Sequence, residues 1–176
     1  MSEKLKQIDL QTMFLEDMGN CVEIHSEEGK KPLYLTCGTP INCKLKVYLF
    51  NCTNPPGGRT PDEFKSQLII ENQKKGERGR LIEGLNEYVL LIGFAVPYGD
   101  QSDGIYVIWE TKKHREFAFS ANLQVKLGPM LQTTEKKVVL YRKKSNGETV
   151  CIAKRKNLIE AICRRLNEDV KILLEE

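Results

Sequence analysis

Tyr88-Val-Leu-Leu-Ile-Gly-Phe-Ala-Val96 is followed, after Tyr98-Gly-Asp-Gln-Ser-Asp-Gly104, by Ile105-Tyr-Val-Ile-Trp-Glu110. Nine apolar or aromatic residues in a row are too few for a membrane span, which needs about 20. A run this short, bounded by Gly and Asp, reads as a buried strand. The polar link of turn-forming residues joins it to a second strand, so the pair predicts an antiparallel hairpin.

The same reading extends outward. Lys44–Phe50 sets Leu45, Val47 and Leu49 against Lys44, Lys46 and Tyr48, the alternation of a half-buried strand. Cys21–His25 and Pro32–Thr36 flank Glu27-Glu28-Gly29-Lys30 and predict another hairpin. Ala121–Leu127, Val138–Lys143 and Thr149–Ala153 add three strands, the last two joined at Ser145-Asn-Gly-Glu148. Asn54-Pro-Pro-Gly-Gly58 breaks the chain. Residues 59–70 suit a helix through Phe64, Leu68 and Ile69, or a strand through Phe64, Ser66, Leu68 and Ile70. Residues 72–80 are polar and basic and predict a loop. A helix over 3–18, stopped near Gly19, opens the chain, and one over Leu158–Leu166 closes it. The expectation is a single α+β domain over 1–176. It consists mainly of short antiparallel strands in a barrel or strongly bent sheet, with a helix at each end.

Composition narrows the function. The chain has 176 residues, 40% hydrophobic and 29% charged, which is globular rather than disordered. MSEKLKQIDL carries no apolar export segment, so a cytoplasmic protein with reduced thiols is expected. Cys37, Cys43 and Cys52 with His25 lack the tight ligand pair of a zinc site, and no metal or cofactor is expected. Net charge is +3 but uneven. Residues 1–104 hold 12 Lys and Arg against 15 Asp and Glu, while residues 105–176 hold 15 against 9. An excess of Lys and Arg in one half points to a polyanion, since phosphate contacts supply most non-specific DNA affinity.

Asp103 and Glu110-Thr-Lys112 resemble the Asp…Glu-x-Lys signature of metal-dependent nucleases, with Glu83 or Glu87 as a further acid. Seven residues of strand put Asp103 and Glu110 about 23 Å apart, too far to share an ion. No catalytic residue is therefore assigned, and a compact Mg²⁺ nuclease using Glu110 and Lys112 stands as the alternative. Lys112, Lys113, His114 and Arg115 end a buried strand and lead into Ser120, Asn122 and Gln124. Lys and Arg suit phosphates, whereas Asn and Gln pair with adenine edges.

Three segments carry a resemblance. They are Lys46-Val-Tyr-Leu-Phe-Asn-Cys-Thr53 running into Gly58-Arg-Thr-Pro-Asp-Glu-Phe-Lys-Ser-Gln67, then Leu90-Leu-Ile-Gly-Phe94 with Ile105-Tyr-Val-Ile-Trp-Glu-Thr-Lys-Lys-His114, and Phe119-Ser-Ala-Asn-Leu-Gln-Val125. Over about residues 44–166 the chain resembles a bacterial family found beside DNA methyltransferases and fused to restriction enzymes. That resemblance implies target-DNA recognition in restriction–modification and antiviral defence, on a pseudobarrel-type fold. It implies double-stranded DNA as ligand and a nuclease, methyltransferase or helicase subunit as partner, with any nuclease on another polypeptide or in a removed segment. Arg59, Asp62, Glu63 and Gln67 carry over as a polar constellation. Lys65 and Ser66 depart from the family's basic-then-apolar pair. The expected DNA-binding set is Arg59, Lys65, Gln67, Lys112, Lys113, His114, Arg115, Ser120, Asn122 and Gln124. A protein–protein adaptor of a methyltransferase or restriction complex is the further alternative.

Overall fold

The computed structural model describes residues 4–54 and 60–176. In chain order come helix α1 (Gln7–Met18) and strands β1 (Val22–His25), β2 (Leu33–Cys37), β3 (Lys44–Asn51), β4 (Glu63–Leu68) and β5 (Arg78–Arg80). Then follow β6 (Glu87–Ala95), β7 (Ile105–Trp109), β8 (Glu116–Ala118), β9 (Ala121–Lys126) and the short helix α2 (Leu127–Leu131). Strands β10 (Val139–Arg142) and β11 (Thr149–Lys154) and helix α3 (Leu158–Glu175) complete the chain. Seven strands form one sheet in the order β1-β2-β3-β6-β7-β11-β10. Every neighbouring pair is antiparallel except β3 and β6, which run parallel from Lys44↔Glu87 to Asn51↔Phe94. A parallel pair needs a long crossover. Here the crossover carries β4 and β5, each of which joins a later strand in a two-stranded ribbon, β4–β9 and β5–β8.

The central hairpin explains the layering. Leu90, Ile92, Phe94, Tyr106 and Ile108 point to one side, where Leu10, Phe14, Met18, Leu158, Ala161 and Ile162 of α1 and α3 cover them. Val89, Leu91, Ala95, Ile105, Val107 and Trp109 point to the other, against Phe64, Leu68, Leu123 and Val125 of the β4–β9 ribbon. The result is three layers: helices, sheet, ribbon. Ribbon and sheet touch closely at Gly93, where a Cβ would stand 2.6 Å from the Trp109 ring and 3.0 Å from Ser66 Oγ.

The α+β class and the helix at each end match the sequence expectation. The barrel does not: the described strands form an open sheet with edges at β1 and β10. Short strands at regular spacing fit either arrangement, and the parallel β3–β6 pairing, invisible in the pattern, selects layers. β3 is more buried than its alternation implies, because the ribbon also covers Tyr48 and Phe50. Residues 63–68 take the strand alternative, and the expected loop over 72–80 contains β5. The hairpin register pairs Gly93 with Val107, so Glu110 lies past the last pair, Leu91↔Trp109. Helix α3 runs nine residues beyond Leu166. Its charged face is laced by Arg164–Glu168, Arg165–Asp169 and Lys171–Glu168 pairs at helical spacing. Among the described residues no helix is long and apolar enough to cross a membrane.

Candidate nucleic-acid interface

The β4–β9 ribbon is built from two alternating sequences. Its register pairs Glu63↔Lys126, Lys65↔Gln124 and Gln67↔Asn122 on one face, with Phe64↔Val125, Ser66↔Leu123 and Leu68↔Ala121 on the other. The second face is buried against the sheet. On the first, Gln67, Asn122 and Gln124 are exposed and Lys65 is half-buried. Among the described residues the side chains of these four make no hydrogen bond. The backbone beneath them is held. Trp109 Nε1 donates to the Gln124 carbonyl at 3.0 Å, and Ser66 Oγ donates to the Asn51 carbonyl at 2.9 Å. Thr53 and Lys65 exchange two backbone hydrogen bonds of 2.9 Å each. A fixed ribbon thus presents three carboxamides and an ammonium group at alternate positions.

Basic groups border this face. Lys126 Nζ lies 3.6 Å from both the Asp62 and Glu63 carboxylates, which offset part of its charge. Across a cleft from Gln124 and Lys126 lie Lys143 and Lys144, in the turn between β10 and β11. Lys143 Nζ is 2.9 Å from Glu148 Oε2, and His114 Nε2 is 2.6 Å from Glu148 Oε1. The Glu148 side chain is fully buried. Burial alone raises a carboxyl, but the His114 hydrogen bond and the charges of His114 and Lys143 outweigh it and leave Glu148 below its ordinary value.

A pH dependence follows. With the folded-state value depressed, the stabilising contribution of Glu148 is full above about pH 4.5, the ordinary value, and fades as pH falls through the lower folded one. Glu148→Gln is expected to cost about 1–3 kcal/mol near neutral pH, where it breaks a charge-assisted pair. It should cost progressively less in acid. Urea unfolding across the acid range checks this, and a cost that stays constant with pH would assign Glu148 a role through hydrogen bonding that does not depend on its charge.

The expected binding set does not form one cluster. Lys65, Gln67, Asn122 and Gln124 come together on the ribbon. Ser120 sits just beyond it, in the turn before β9, with φ of +62°. Lys112 to Arg115 lie apart, in and after the single 3-10 turn that follows β7. There Lys112 Nζ pairs with Glu176 at 2.6 Å and His114 is bound to Glu148, so both are engaged within the chain. Lys113 and Arg115 are exposed. Arg59 lies outside the described residues. Sequence reading missed Lys126, Lys143 and Lys144. Lys126 shares the alternation of Asn122 and Gln124, and Lys143-Lys144 abut a recognisable turn, so the signal was present.

The nuclease signature also separates. Asp103 precedes β7 and Glu110 follows it, at opposite ends. Glu110 is buried, and its Oε2 accepts from Thr149 N–H at 3.0 Å. Beside it Glu83, Lys112 and Asp169 line a small cavity of about 70 Å³. Burial, with Glu110 and Glu83 adding to it, raises the Asp169 carboxyl despite Arg165. Among the described residues no three His, Cys, Asp or Glu side chains are arranged to hold a metal ion. Cys37 and Cys52 sit in cores on opposite faces of the sheet, and burial pushes both thiols up to about 12.

No curated protein and no solved structure matches the chain. The family profile described as Methylase-associated X1 matches residues 43–162. That match begins one residue before β3, ends in the first turns of α3, and takes in the ribbon and the sheet strands from β3 to β11 but not β1 and β2. It agrees with the resemblance drawn over about residues 44–166: this chain belongs to the methylase-associated X1 family.

Proposed function

We propose that the chain recognises duplex DNA for a methyltransferase or restriction–modification assembly, through the outer face of the β4–β9 ribbon. The observation that carries this is the placement of Lys65 opposite Gln124 and of Gln67 opposite Asn122, exposed on a ribbon whose other face is locked to the sheet. A two-stranded ribbon fits the major groove, and a carboxamide can pair with adenine N6 and N7 together. Lys65 and Lys144 supply phosphate contacts, which position without discriminating. The family's association with methylases supports the setting.

Binding is expected to weaken by orders of magnitude between roughly 50 and 200 mM salt, as several phosphate contacts require. A cognate duplex selected from a random pool then separates the roles. Gln124→Ala should cost about 1–3 kcal/mol on the cognate site and little on a scrambled one. Lys144→Ala should weaken both alike and lower the log–log salt slope by about one. Fluorescence anisotropy reads both. Equal loss on the two duplexes for Gln124→Ala removes the ribbon from base recognition.

One observation favours a second reading, a protein-contact role. Ile82 and Leu85, in the loop before β6, and Leu173 and Leu174, at the end of α3, are exposed, Leu85 by 90%. Exposed apolar groups mark a protein contact where they form one patch. Absence of salt-dependent duplex binding would favour this reading.

A further inference from the structure

The ribbon has a second basic border, opposite the β10–β11 turn. Beyond Ala121 the chain turns through Phe119 and Ser120 into β8, which pairs with β5 in the register Arg78↔Ala118 and Arg80↔Glu116. Lys75, Gly76, Glu77 and Arg78 line an open cleft with Ala118, Phe119 and Ser120. Lys75 and Arg78 are exposed and make no ion pair within 4 Å among the described residues, although the Arg78 charge also acts on the Glu116 carboxylate. Their neighbours are otherwise occupied: Arg80 pairs with Glu116, and Glu77 accepts a hydrogen bond from the Lys74 backbone N–H at 3.0 Å. Strand β5 is pinned by Gly79, which lies directly against the buried Phe117 ring with no room for a Cβ. Arg78 therefore projects from a fixed backbone.

Distance decides what the two borders can do together. From Lys126 to Ser120 is six residues of extended chain, about 20 Å at roughly 3.3 Å per residue. The major groove is about 12 Å wide, with a sugar–phosphate backbone on either side. Cationic groups at the two ends of the ribbon are thus spaced to meet the two backbones that flank one groove. The three carboxamides lie between them.

We propose that Lys75 and Arg78 form a second phosphate-binding anchor, so that the ribbon is clamped between both strands of one major groove, with Lys144 on the opposite strand. This rests on the DNA-recognition reading above and adds the ligand's geometry: a duplex engaged on both strands rather than a single strand tracked along one.

The test combines a salt titration with hydroxyl-radical footprinting of the whole chain on a cognate duplex. Lys75→Ala/Arg78→Ala is expected to lower the log–log salt slope by about two, at roughly 0.9 per phosphate contact. Cognate and scrambled duplexes should weaken alike. The unsubstituted chain should protect both strands across one groove, with the double variant losing protection on one strand and Lys144→Ala on the other. Lys75→Arg/Arg78→Lys, which keeps both charges, should keep slope and footprint. Circular dichroism matching the unsubstituted chain establishes that the variants are folded. A steep slope in the unsubstituted chain that the double variant leaves intact overturns the second anchor and spares the recognition reading. An unsubstituted chain that binds duplex without salt dependence, or not at all, overturns both.

Discussion

Trp109→Ala is expected to lower the free energy of unfolding by about 3–5 kcal/mol, the usual range for deleting a large buried aromatic side chain. Trp109 is fully buried at the end of β7 and is the largest side chain in the core. Its ring fills the space that Gly93 leaves open, and its Nε1 donates to the Gln124 carbonyl at 3.0 Å. Removal opens a cavity between sheet and ribbon and unfastens the ribbon at Gln124. Trp109→Phe separates the two contributions. It keeps most of the packing but loses the donor, so a further cost of about 1 kcal/mol belongs to the hydrogen bond. Duplex affinity should fall in both variants in proportion to how far Gln124 is released. Trp109 is the chain's single tryptophan, so urea unfolding of the variants is followed by circular dichroism. A loss under 1 kcal/mol for Trp109→Ala would mean that sheet and ribbon close over the gap.

Particular residues show why part of this architecture was legible in sequence. The 88–96 and 105–110 run fixed its own pairing, because strands buried on both faces need apolar residues at every position and a turn sequence between them. The ribbon was only half legible. Phe64, Ser66 and Leu68 alternate as a strand should, yet Phe64, Leu68 and Ile69 also fit a helix, and only the partner Ala121–Lys126 resolves the choice. That partner lies more than fifty residues away, and local periodicity carries no information about pairing at that distance. The same limit hid the parallel β3–β6 pair and turned a layered sheet into an expected barrel. For the candidate site, adjacency in sequence was a poor guide to which residues share a face. Asn122 and Gln124 meet Gln67 and Lys65 across the ribbon, while Lys112 and His114, their closer neighbours in sequence, are bound elsewhere within the chain.

Arg165 gave the weakest signal, and its removal should rank with Trp109→Ala in cost. It lies three residues after Ile162 on the buried face of α3, and its side chain is fully buried. Its guanidinium donates to the Thr149 carbonyl at 2.6 Å, to Thr149 Oγ1 at 2.8 Å and to Asp169 Oδ1 at 2.7 Å. Thr149 in turn donates its N–H to Glu110. Arg165 thus holds the end of β11 to α3 and supplies the cation beside two largely buried carboxyls. Arg165→Ala should cost about 3–5 kcal/mol near neutral pH, since breaking a buried pair strands the charge that remains. Its pH dependence has the same sign as that of Glu148→Gln but the opposite origin, a raised rather than a lowered carboxyl. The Asp169 carboxyl already sits above its ordinary value through burial, with Glu110 and Glu83 adding to it, and loses the opposing influence of Arg165. A raised carboxyl favours the folded state when protonated and burdens it once ionised, so the deficit of Arg165→Ala should shrink as pH falls into the carboxylate range. Arg165→Met/Asp169→Leu removes both charges and refills the space, and should recover most of the loss. Urea unfolding of the single and double variants at neutral and mildly acidic pH measures all three effects. If single and double variants are equally unstable at both pH values, Arg165 acts through its packing and its bonds to Thr149, and not through charge.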